Sequence, residues 1–143
     1  MSENYSELTF DQIEIGLTKE FHVNITQSLV DDFAKISGDF SPIHMNDEFA
    51  KSTKFGKKIV HGMLLASLLS RMVGMYLPGK YALYSSQTLE FHNPCFIGDK
   101  ILVSSVVNDK SESTKIIKIE SNITNMKNDL LLHGEGRIIV RND

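Results

Sequence analysis

The sequence predicts an α+β fold in which a curved antiparallel sheet wraps a long central helix. Three observations carry this. Between His61 and Met75, apolar residues cover nearly the whole surface of a helix, and a helix apolar all round is buried on most sides. After Pro78-Gly79 the chain turns into four strand-like runs. Short turn-forming segments separate those runs, which implies antiparallel pairing of consecutive strands. A sheet curled around the helix would bury it.

The elements follow in order. "KEFHVNI" alternates loosely and reads as a strand. Thr26 is placed to cap a helix over "QSLVDDFAKIS", whose Leu29, Val30, Phe33 and Ile36 fall at helical spacing. Gly38 stops that helix. "NDEFAKST" reads as a short second helix capped by Asn46 or Asp47. The buried helix from His61 to Met75 comes next. The strands are then "YALYSSQTLEF", "KILVSSVV", "TKIIKIESNIT" and "LLLHGEGRIIV", with "NPCFIGD", "NDKSES" and "NMKND" as the turns between them.

Bulk composition narrows the function. A chain of 143 residues fits one domain, 1–143, with length enough for a real core. A net charge of −3 and a pI near 5.9 speak against a nucleic-acid binder, which should carry a basic face. "MSENYSELTF" has neither a basic start nor an apolar core and is not read as a signal peptide. "IVHGMLLASLLSRMVGMYL" is nearly long enough to cross a bilayer, but His61, Arg71, two serines and two glycines interrupt it, so a buried helix and no membrane partner are expected. The single Cys95 cannot form an internal disulfide and fits a reducing, cytoplasmic setting. His22, His92 and His133 show no metal spacing, and neither metal nor cofactor is expected.

The chemistry concentrates in "SGDFSPIH", Ser37 to His44. In a continuous helix Asp39 and His44 would lie about 140° apart, given ~100° per residue. Gly38 and Pro42 argue against such a helix. A non-helical loop could turn both groups toward one water, one taking its proton and the other delivering a proton to a neighbouring carbon. An Asx-turn with a capping or surface histidine is the alternative for the same residues. At the expected start of the buried helix, Gly62 would offer an unpaired N–H, reinforced by the helix dipole, to a thioester carbonyl and to the enolate formed from it. A plain helix start is the alternative there. His61, just before it, is read as structural.

"FAKISGDFSPIHMNDEFA" resembles the signature of the R-specific enoyl-CoA hydratases, the MaoC-like dehydratases. Phe33, Ser37-Gly38-Asp39, Pro42-Ile43-His44 and Ala50 match it, while Ser41 stands where that family usually has asparagine. "IVHGMLLASLLS" and "FHNPCFIGD" extend the likeness over most of the chain. The resemblance implies a hot-dog fold and a homodimer. It places the catalytic dyad on Asp39 and His44, the oxyanion donor on the N–H of Gly62, and a supporting serine on Ser70. Ser67 is read as bonded back to its own helix. Lys51, Lys54, Lys57 and Lys58 form a basic run in an acidic protein. Lys54 and Lys57 are candidates to attract the phosphates of CoA, against the alternative of a solvated face. Val73 and Ile139 are candidates to line an acyl tunnel, or plain core.

The implied reaction adds water to a trans-2-enoyl-CoA to give an R-3-hydroxyacyl-CoA, a step of fatty acid metabolism. In reverse it is a 3-hydroxyacyl dehydration, and acyl carrier protein could replace CoA. A hot-dog thioesterase is the alternative enzyme. A non-catalytic acyl-binding subunit is the alternative outside catalysis, although it would have no need of both Asp39 and His44.

Overall fold

The computed structural model describes residues 4–143. Six antiparallel strands form one sheet: β1 (Thr18–Asn24), β2 (Ala82–Gln87), β3 (Glu90–Phe91), β4 (Lys100–Ser111), β5 (Ile116–Asn125) and β6 (Leu130–Val140). Their spatial order is β1-β4-β5-β6-β2, with β3 also on β6. Among the described residues, four α-helices accompany the sheet: α1 (Gln27–Ser37), α2 (Pro42–Met45), α3 (Asp47–Lys51) and α4 (Gly62–Arg71).

β4, β5 and β6 form the expected meander, but β2 does not join β4. It pairs with β6 at the far side. "NPCFIGD" is therefore a crossover and not a hairpin turn. It runs past the start of α4, where the Cys95 carbonyl accepts the Val60 N–H at 2.8 Å and Ile59 bridges to Phe96. The run expected as one strand over 81–91 is broken at Thr88. The Thr88 carbonyl lies 2.1 Å from where a Cβ on Gly134 would sit, so only glycine lets this break lie across β6. β4 runs past its expected end to Ser111 by way of a bulge between Val107 and Asp109.

Alternation on β4, β5 and β6 puts Ile101, Val103, Val107, Ile117, Ile119, Ile123, Leu132 and Ile138 on one buried face. Leu64, Leu65 and Leu69 of α4 are buried with them in the core. Burying each such side chain is worth about 1.5–3 kcal/mol. The helix differs from expectation in two ways. Its α-helical part has 10 residues and gives way to a π-helical segment, Met72–Tyr76. It is also buried on one side only, since Met63 is 55% exposed and Ser67 and Ser70 face outward. The all-round burial expected of the central helix is thus corrected to a helix with an open face.

α1 matches its expected limits. The Thr26 hydroxyl accepts the Leu29 N–H, and Gly38 ends the helix at φ 77°, a conformation that glycine adopts without strain. No helix among the described residues is long and apolar enough to cross a membrane.

Candidate active site

Gly38 releases the chain from α1, and Asp39 begins the loop that follows. The Ser37 hydroxyl, itself donating to the Phe33 carbonyl at 2.7 Å, accepts the Asp39 N–H at 3.1 Å. Asp39 Oδ1 accepts the Ser41 N–H at 3.1 Å. This is the Asx-turn, so one carboxylate oxygen shapes the loop. Oδ2 accepts no hydrogen bond among the described residues.

The expected non-helical loop is shorter than the sequence reading made it. Pro42 opens the one-turn helix α2, which includes His44. Proline suits a first helical position, where its missing N–H costs nothing. The geometry still serves the pair, because the break at 39–41 frees Asp39 from the helical angle. His44 is fixed from its other side: Nδ1 lies 2.7 Å from the Ile59 carbonyl. A carbonyl only accepts, so Nδ1 carries the proton and Nε2 of the neutral ring keeps a lone pair.

His61 closes the arrangement. It is 2% exposed, its Nε2–H donates to the Asp39 carbonyl at 3.0 Å, and its ring stacks on that of His44 with centroids 4.0 Å apart. Polar side-chain atoms of Asp39, His44 and His61 lie within 4.8 Å of one another. Such a trio is also a set of donors that could hold a metal ion. One nitrogen on each ring meets a backbone carbonyl and the other is left free, an arrangement that serves a metal ligand and an acid–base group alike.

Gly62, directly after His61, is the first residue of α4, and the His61 side chain does not cap the helix. The first N–H groups of a helix have no intrahelical partner. A Cβ on Gly62 would lie 2.7 Å from Cε1 and 2.8 Å from Cδ1 of Phe91, so glycine also lets β3 approach the helix start. The structure thus brings Asp39, His44 and the α4 N-terminus together around His61.

The remaining candidates are more spread out. Ser70 lies on the open side of α4, in a groove of about 450 Å³ shared with Phe33, Met63, Ser67, Tyr84 and Leu89. Ser67 donates back to the Leu64 carbonyl at 2.6 Å. Val73 is buried in the core. Ile139 is not brought to it: strand alternation turns Ile139 away from the buried Ile138 and Val140, into a cleft with Thr9, Tyr81 and Thr114.

The lysine run divides. Lys51 pairs with Glu48 at 3.6 Å and Lys58 with Asp47 at 3.7 Å. Lys54 and Lys57 form no ion pair among the described residues and lie over Phe55 and Phe96. Lys57 shares a cleft of about 490 Å³ with Lys100, Lys127, Asn93 and Pro94. Asn93 and Pro94 also line an apolar groove of about 360 Å³ that reaches Gly62, Met63 and Phe91. Cys95, in the wall of that groove, is buried, and burial together with the nearby Asp99 pushes its thiol up to about 12.

Sequence reasoning missed two parts of this site. The Ile59 carbonyl is a backbone group 15 residues from His44 and leaves no side-chain signal. Lys100 and Lys127 stand far from the lysine run and join Lys57 only through the fold.

A curved antiparallel sheet around a helix, with an acid–imidazole pair beside that helix's N-terminus, defines a hot-dog protein of the hydratase and dehydratase type. The chain matches the MaoC-like domain over residues 10–128 and belongs to that family. It is 46% identical over 96 residues to the 3-hydroxybutyryl-CoA dehydratase of Methylorubrum extorquens, a match spanning 67% of this chain and 61% of that protein. It is 35% identical over 128 residues to the (R)-specific enoyl-CoA hydratase of Aeromonas caviae, spanning 90% of this chain and 96% of that protein. The unliganded R-hydratase PhaJ1 of Pseudomonas aeruginosa superposes with a TM-score of 0.92 at 28% identity, covering 97% of this chain and 89% of that one.

Proposed function

We propose that this chain is a hydro-lyase that adds water to trans-2-enoyl thioesters to give R-3-hydroxyacyl thioesters, and runs the dehydration in reverse. The observation that carries the reading is the convergence of Asp39 and His44 within 4.8 Å, next to the start of α4. Relatives named as (R)-specific enoyl-CoA hydratases support it and supply the configuration.

The thioester carbonyl rests on the Gly62 N–H, which stabilises the enolate as it forms. Asp39 Oδ2 and His44 Nε2 hold the water. As its oxygen bonds to C3, the pair takes up a proton from the water and delivers a proton to C2. One water is consumed and the pair ends as it began. Ser70 supports the site from the open side of α4.

The surface gives the substrate a path. Met63 lines the grooves on both sides of the site. The acyl chain occupies the groove with Ser70, and the pantetheine arm runs past Phe91 and Pro94. The CoA phosphates meet Lys57, with Lys100 and Lys127, while Lys54 adds to the field. Acyl carrier protein, which also presents a phosphopantetheine arm, is the second carrier; one relative is named for that substrate. A homodimer is part of the proposal, as is a reducing, cytoplasmic setting in keeping with the buried Cys95 thiol.

Incubation of the pure protein with crotonyl-CoA tests the reaction, with enoyl absorbance and free thiol followed in parallel. Loss of absorbance without thiol is expected. Thiol release would assign a thioesterase instead. Neither change, repeated across longer enoyl chains, would leave only a binding role.

A further inference from the structure

His61 holds the parts of this site together. We infer that it is a positioning residue, one that fixes the Asp39–His44 pair against the oxyanion donor of Gly62; this rests on the hydration reading above.

Three separate segments meet on its one side chain. The Nε2–H holds the carbonyl of Asp39, so the backbone that carries the carboxylate is tied to α4. The ring stacks on His44 at 4.0 Å with an interplanar angle of 26°, which limits the swing of that imidazole about its bond to Ile59. Phe33 of α1 also packs against the ring at 4.9 Å, tilted by 57°. The His61 backbone meanwhile forms the N-cap of α4, its carbonyl accepting the Leu64 and Leu65 N–H groups at 3.1 and 3.4 Å. The acid, the imidazole and the Gly62 N–H are therefore all referenced to one buried residue.

The role needs an unusual combination. A phenyl ring would supply the two stacks without the donor, and an amide would supply the donor without the stacks. The other ring nitrogen, Nδ1, is buried and has no hydrogen-bond partner among the described residues. A side chain chosen for packing alone would not bury a polar atom unpaired, since that carries a cost. The imidazole is retained here for what Nε2 and the ring face do. His61 touches neither the water nor the thioester in this account and acts only through Asp39 and His44.

Two variants separate the donor from the ring. His61→Phe keeps the stacking and removes the hydrogen bond, and His61→Gln restores an N–H at a similar reach. Crotonyl-CoA kinetics are measured alongside hydrogen exchange of the peptide spanning residues 38–46. For His61→Phe we expect kcat to fall up to ~10²-fold, as for a misplacement of about 1 Å, with KM within about threefold and faster exchange in 38–46. His61→Gln should recover at least about tenfold of the lost kcat and slow that exchange again. The inference is overturned if His61→Phe has wild-type kcat and exchange, or if His61→Gln is no better than His61→Phe on both readouts. If His61→Phe does not fold, His61→Gln is compared with wild type: retention of kcat within about tenfold supports the role, and a loss as deep as that of Asp39→Asn contradicts it. A wild-type protein inactive on every enoyl thioester would instead sink the hydration reading, while the exchange data would still decide whether His61 holds the loop.

Discussion

Asp39 and His44 face one another because the helix is interrupted between them and resumes at Pro42. Each then has one polar atom spent on the scaffold, Oδ1 on the Ser41 N–H and Nδ1 on the Ile59 carbonyl, and one left for the proposed proton transfers. Positioned acid–base groups contribute about 10²–10⁴-fold each. Asp39→Asn and His44→Gln should accordingly lower turnover by that order while circular dichroism stays unchanged; near-normal turnover in either folded variant would remove the pair from the mechanism. Ser41 is the residue at which the chain departs from the family pattern. It sits at the N-cap of α2 without a side-chain cap bond, and an amide there would bring two donors and an acceptor on a longer arm than the hydroxyl. Ser41→Asn should therefore preserve or raise crotonyl-CoA hydration. A large loss in that variant would mean the loop is built around serine.

At the scale of elements, the legible parts were those with a local signal. α1 could be read to its ends because its signals are all local: Thr26 and Gly38 flank it as caps and the apolar spacing lies between them. β6 was equally clear, as an unbroken run between turns. What could not be read depended on contacts distant in sequence: the pairing of β2 with β6, the break over Gly134, and the open side of α4. Apolar residues all round α4 look the same in sequence whether they meet core or a groove. In the proposed site, Asp39, His44 and Gly62 were picked out through the family resemblance of their motifs, whereas the Ile59 carbonyl and the grouping of Lys57 with Lys100 and Lys127 came only from the fold. Gly62→Ala keeps the oxyanion N–H but drives a methyl group into Phe91, which is half exposed and can move. The variant should fold, lose about 1–3 kcal/mol of stability as overpacked sites do, and hydrate crotonyl-CoA poorly. Adding Phe91→Ala should restore much of the stability by relieving the contact. If the double variant melts no higher than Gly62→Ala alone, the close approach of β3 is not the reason for the glycine.

For the whole molecule, the exposed apolar surface and the sheet's open ends matter most. Ile36 is 86% exposed, and Phe40, Met63, Leu83 and Phe91 are each more than half exposed. Among the described residues, β1 and β2 end the sheet with unpaired edges, which natural proteins tend to cover. A two-fold copy extending the sheet would bury both kinds of surface. Light scattering at micromolar concentration should give a mass near twice 16.1 kDa; a monomeric mass would contradict the assembly. The central claim is the reaction and its stereochemistry, and the configuration of the product tests it most directly. Crotonyl-CoA is hydrated to equilibrium with the pure protein, the thioester is hydrolysed, and the 3-hydroxybutyrate is resolved by chiral chromatography. The account predicts the R enantiomer in large excess. The S enantiomer, a racemate, or no hydroxy acid at all would contradict it.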